Sequence, residues 1–109
     1  QRLPEMITRA RSIATGRGFD VATVAHAGDG NLHPALMYEA QDEDAMLATD
    51  DAITEAALEL GGTLTGEHGV GLLKQRWLAM VAGPVAAEVQ RGIKAVFDPL
   101  GILNPGKAI

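Results

Sequence analysis

Four residues with the means to do chemistry stand in two glycine-rich segments. His26 and His33 flank Ala27-Gly28-Asp29-Gly30-Asn31-Leu32, and Glu67-His68 lies between Gly66 and Gly69. The first segment has strand-like residues on both sides of Asp-Gly, a strong two-residue hairpin signal. With Asp29-Gly30 as the central turn residues, Gly28 pairs with Asn31, Ala27 with Leu32 and His26 with His33. Directly opposed residues share a sheet face with Cβ atoms ~4.5–5.5 Å apart. Two imidazoles at that separation can reach one cation, for which zinc needs bonds of ~2.0–2.1 Å. Spacing alone supports a metal pair and two ordinary polar residues beside a loop equally. Glu67 would complete a His/His/Glu set that leaves a coordination position open for substrate. His68 would then serve as a general base, because imidazole as a class exchanges protons near neutral pH. The plain alternative for Glu67 and His68 is a loop pair facing water. The glycines favour the functional reading, since they let backbone approach a ligand closely.

Asp29 reads as a turn residue or as an acceptor that orients a histidine, with metal ligation the alternative. Asn31 reads as part of the turn. Trp77 and Tyr38 read as core or domain-interface residues, and Lys74, Arg76 and Lys107 as solvated charges. No GxGxxG or GxxxxGK[ST] pattern follows a strand and opens a helix, so the glycines do not spell a phosphate loop.

The elements that must position these residues follow from periodicity. Residues 4–15 read as a helix, with Pro4 in its first turn and Met6, Ile7, Ala10, Ile13 and Ala14 on one face. Gly16 and Gly18 end it. Residues 19–26 and 32–39 read as strands, the second irregular near Pro34. After an acidic turn, residues 43–60 read as a helix with Met46, Ile53, Ala57 and Leu60 on one stripe, stopped by Gly61-Gly62. Thr63-Leu64-Thr65 is a short strand candidate. Residues 72–82 and 84–98 read as two helices separated at Gly83-Pro84. The order is α-β-β-α-β and then helices, and a βαββαβ unit would need one more strand before residue 4. The chain starts without Met and reads as a fragment, expected to be a single domain over residues 1–109.

Composition narrows the class. The chain has 109 residues, 47% hydrophobic and 21% charged, with a formal net charge of −5. That is ordinary for one small globular domain. An acidic chain without a basic cluster argues against nucleic acid as a partner. There is no apolar run of membrane-spanning length and no signal-peptide pattern at Gln1-Arg2-Leu3-Pro4. With no cysteines, disulfides and thiolate metal sites are excluded. A cytoplasmic location is expected, with membrane association through an electron-acceptor partner as the alternative.

Three segments resemble motifs of a known family. Ala25-His26-Ala27-Gly28-Asp29-Gly30-Asn31-Leu32-His33-Pro34 resembles HxGDGNxH. Gly66-Glu67-His68-Gly69-Val70-Gly71 resembles [ST]GEHG[VI]G. Phe97-Asp98-Pro99-Leu100-Gly101-Ile102-Leu103-Asn104-Pro105-Gly106-Lys107 resembles FDPxGxLNPGK. Together and in this order they resemble the C-terminal domain of FAD-linked oxidases in the vanillyl-alcohol oxidase superfamily, over roughly residues 19–109. The resemblance implies an FAD-dependent dehydrogenase or oxidase of D-2-hydroxy acids, of the glycolate or D-lactate type. It implies His26, His33 and Glu67 as ligands of a divalent metal (zinc, manganese or iron), His68 as the base, and Asn104 as a residue near the flavin ring. In such enzymes the base takes the hydroxyl proton while hydride passes from Cα to the flavin. The FAD-binding domain and the upstream basic residues that clamp the substrate carboxylate are not in this sequence. Ala35 stands where 2-hydroxyglutarate-type members often carry Asn, and His33-Pro34 is closer to the glycolate oxidase type.

The expected fold class is therefore α+β: the C-terminal part of a ferredoxin-like cap, an antiparallel sheet with helices on one face, plus C-terminal helices. Expected partners are a small 2-hydroxy acid, the chain's own FAD-binding domain, an unidentified electron acceptor, and a second copy through self-association. A fragment alone is expected to be inactive. The alternatives are a free-standing metal-binding or interaction module and a metal-dependent hydrolase, the latter weakened by the lack of HEXXH.

Overall fold

The computed structural model describes residues 2–109. The chain divides into two compact units, Gln1–Thr63 and Leu64–Ile109.

The first unit runs α1 (Leu3–Gly16), β1 (Asp20–His26), β2 (Asn31–Met37), a 3-10 turn (Ala40–Asp42) and α2 (Glu43–Glu59). Met6, Ala10 and Ala14 repeat every fourth residue of α1 and are buried. Met6 and Ala10 form the core with Ile53 and Ala56 of α2, and Leu32 and Leu36 of β2 pack against it. The core shared by the two helices thus sits against one sheet face, as expected for an α+β unit. Thr49 is fully buried without being part of the expected stripe. Its hydroxyl donates to the Ala45 carbonyl at 2.7 Å, which satisfies it inside the helix.

Both helices end by the same device. At α1, Gly18 takes φ 85°, its N–H donates to Thr15 O at 3.1 Å, and the Phe19 N–H donates to Ala14 O at 2.9 Å. At α2, Gly61 takes φ 78°, its N–H donates to Leu58 O at 2.9 Å, and the Gly62 N–H donates to Ala57 O at 2.8 Å. These are Schellman closures, which need a residue free to adopt positive φ. Gly62 is required for a different reason: a Cβ there would lie 2.9 Å from the Ala57 carbonyl oxygen.

Thr63-Leu64-Thr65, where the chain passes from the first unit to the second, is not a strand. A strand forms only against a partner that pairs its backbone, and the sheet among the described residues contains β1 and β2 alone. The segment bonds locally instead: Leu64 O accepts from Lys74 Nζ at 2.7 Å and Thr65 Oγ1 from the Gly69 N–H at 3.0 Å. Lys74, expected as a solvated charge, is therefore half-buried and holds this turn. Residues 71–74 are turns, and α3 (Gln75–Phe97) follows with a break at Gly83, φ 71° and ψ 169°. The expected division at Gly83-Pro84 is borne out, with the first helix starting three residues later than expected. No residue of α3 is buried. Val85, Val89, Ile93, Val96 and Phe97 line an exposed apolar stripe, Phe97 being 79% exposed.

Candidate functional site

The hairpin that carries the histidines is built differently from the two-residue turn expected of Asp29-Gly30. His26 pairs with Asn31 and Val24 with His33. The loop is four residues, Ala27 to Gly30, because the His26 carbonyl accepts from both the Asp29 N–H (3.3 Å) and the Gly30 N–H (3.0 Å). Gly30 takes φ 82°, which glycine adopts without steric cost. Asp29 is a turn residue, as read from the sequence: its Oδ1 accepts from the Asn31 N–H at 3.1 Å.

His26 and His33 are thus diagonal neighbours, not direct partners. Their convergence survives because the register is displaced by two residues, and side chains alternate with period two, so each histidine keeps its face. That face is the outer one, with Ala22, Val24, Ala35 and Met37, opposite the helices. Diagonal residues have backbones farther apart, but long aromatic side chains still meet. The two rings stand edge to face with centroids 5.3 Å apart. Two imidazoles on one accessible face are a donor set suited to a borderline cation such as zinc or iron.

Glu67 and His68 sit in the second unit on the loop between Gly66 and Gly69. His68 Nε2 lies 3.7 Å from Glu67 Oε1, too far for a hydrogen bond and close enough for electrostatic contact. Both side chains are largely exposed. The loop is tied at three points: Thr65 Oγ1 to the Gly69 N–H, Lys74 Nζ to the Leu64 carbonyl, and the Ala108 N–H to the Gly71 carbonyl at 2.9 Å.

Asn104 occupies a left-handed position, φ 47°, which Asn tolerates better than other side chains with a Cβ. Its carbonyl accepts from the Lys107 N–H at 3.2 Å, and Gly106 takes φ 71° after Pro105, the pattern of a type II turn. The segment before it is organised by Asp98, buried at the end of α3. Asp98 Oδ1 accepts from the Ile102 N–H at 2.9 Å, and Oδ2 accepts from the Leu103 N–H at 3.0 Å and from Lys94 Nζ. Lys94 also donates to the Leu103 carbonyl at 2.8 Å. The Lys94 ammonium, bonded to the carboxylate, and then the two backbone N–H groups hold the Asp98 carboxyl below its usual range against the opposing effect of burial. Sequence reasoning passed over Asp98 and Lys94; their four-residue spacing across a helix end was the available signal.

The sequence matches the family described as FAD linked oxidases, C-terminal domain, over residues 1–108. Glycolate oxidase subunit GlcD of Bacillus subtilis is 42% identical over 108 residues, covering 96% of this chain and 23% of that protein. A D-lactate dehydrogenase of Anaerostipes hadrus is 39% identical over 110 residues, covering 97% and 23%. GlcD of Escherichia coli is 34% identical over 110 residues, covering 98% and 22%. The chain spans under a quarter of the length of these curated relatives.

Proposed function

The chain belongs to the C-terminal domain family of FAD-linked oxidases, and from that premise we propose that it supplies the substrate and metal side of a flavin-dependent oxidoreductase of D-2-hydroxy acids. Glycolate and D-lactate are the leading substrates, by analogy with the relatives named for them. The observation that carries this reading is the pair of imidazoles on one accessible sheet face, 5.3 Å between centroids. His26 and His33 would hold a divalent cation, with Glu67 as the third ligand. His68, next to Glu67 in the sequence, receives the hydroxyl proton of the substrate on an imidazole nitrogen. Asn104 contributes a side chain beside the flavin. The bound groups would supply polarisation of the hydroxyl by the cation and acceptance of hydride from Cα by the flavin. Proton and hydride together account for oxidation of the alcohol to the 2-oxo acid.

The same reading includes an FAD-binding domain elsewhere in the protein, an electron acceptor of unassigned type, and a cytoplasmic location, which cell fractionation checks. Among the described residues no helix is long and apolar enough to cross a membrane. The apolar stripe on α3 supports a covering partner: the FAD-binding domain in the whole protein, or a second copy when this chain is made alone.

The experiment is turnover of glycolate and D-lactate by the whole flavin-loaded protein carrying His68→Gln. Loss of a general base should lower kcat by ~10²–10⁴-fold, with flavin content unchanged. Turnover within a few-fold of the parent would remove His68 from its role.

A further inference from the structure

The tail of the chain touches the loop that bears Glu67 and His68. The Ala108 N–H donates to Gly71 O at 2.9 Å, which closes a path from α3 back to residue 71. Ala108 makes that bond from a left-handed backbone, φ 63°, a conformation that a residue with a Cβ adopts only under constraint. Its partner Gly71 also has positive φ, 58°. At the other end of the tail, Asp98 and Lys94 are bonded to each other and fix Ile102 and Leu103 to the end of α3 through three further hydrogen bonds. Between these anchors lies the Asn104–Lys107 turn, closed by its own backbone bond. These bonds tether residues 98–108 at both ends and in the middle.

We propose that residues 98–108 form a positioning strap for the Gly66–Gly71 loop, with Asp98 as its anchor and the Ala108 N–H as its fastening. The catalytic consequence rests on the reading of Glu67 and His68 given above; the mechanical claim does not. A glycine-rich loop with positive φ at Gly69 and Gly71 has low intrinsic order. Its active geometry must come from ties outside itself. Thr65 and Lys74 tie its entry, and the strap ties its exit. Ala108 is thus a positioning residue that acts through backbone, which explains why its side chain gave no signal in the sequence.

Two substitutions at one position separate the fastening from the side chain. Ala108→Pro removes the N–H and cannot adopt positive φ. Ala108→Gly keeps the N–H and relaxes the left-handed backbone. Both are measured in the whole flavin-loaded protein by amide hydrogen exchange of the Gly69 N–H and by kcat and KM for glycolate and D-lactate. Ala108→Pro should speed exchange at Gly69 about tenfold or more. It should lower kcat by about tenfold to a hundredfold, the scale of a small misplacement of reacting groups, with KM moved far less. Ala108→Gly should match the parent in both. Parental exchange at Gly69 in Ala108→Pro overturns the strap, and so does equal disruption by Ala108→Gly. Glu67→Ala is the separate control. Lost turnover with parental exchange upholds the site reading, whereas full turnover removes it and leaves exchange to decide the strap.

Discussion

At the residue scale, Asp98 collects a lysine ammonium and two backbone N–H groups in a buried position. Each of these partners favours the ionised carboxylate, and its pKa is lowered from 3.8. A group whose folded pKa lies below its unfolded value adds stability above the unfolded value. That contribution is lost as pH falls through the folded one. Comparing denaturant midpoints of the parent and Asp98→Asn should therefore give a gap that is constant above about pH 5 and closes as pH falls below 3.8. A gap independent of pH across that range would contradict the assignment. The motif containing Asp98 was legible in the sequence, but its job was not. A carboxylate that bonds residues four and five positions ahead is seen only once the chain turns at Gly101. Lys74 was misread for the same reason, since its partner is a carbonyl ten residues back. His26 and His33 were assigned to one face correctly through a wrong register, because an error of two residues preserves the face.

At the scale of elements, the first unit was legible almost throughout. Its helices announce themselves by four-residue apolar repeats and by glycines where a left-handed closure is needed, Gly18 and Gly61. The loop length of the hairpin was not legible, since it depends on two N–H groups sharing the His26 carbonyl. Nor was the absence of a strand at residues 63–65, because strand formation depends on a partner and not on local composition. α3 is the element whose sequence demands the most beyond itself. Val85, Val89 and Ile93 recur every fourth residue and remain exposed, at 74%, 55% and 55%. An apolar stripe of this extent is costly to leave in water. The chain made alone should therefore self-associate, with sedimentation equilibrium giving a mass above the 11.4 kDa monomer. Val89→Glu with Ile93→Glu should shift the equilibrium toward monomer. A monodisperse parent monomer would contradict this.

At the scale of the whole molecule, the chain accounts for under a quarter of the length of its relatives. The proposed division of labour assigns the flavin pyrophosphate to other parts of the protein and cation and proton handling to this one. In the proposed function, His26, His33 and Glu67 hold a divalent cation that the reaction uses. The most direct measurement is metal content of the whole purified protein, parent beside His26→Ala and Glu67→Ala, with flavin content measured on the same samples. Near-stoichiometric zinc, manganese or iron is expected in the parent, lost in both variants while flavin is retained. A parent that binds none of the three when each is supplied in excess would contradict it.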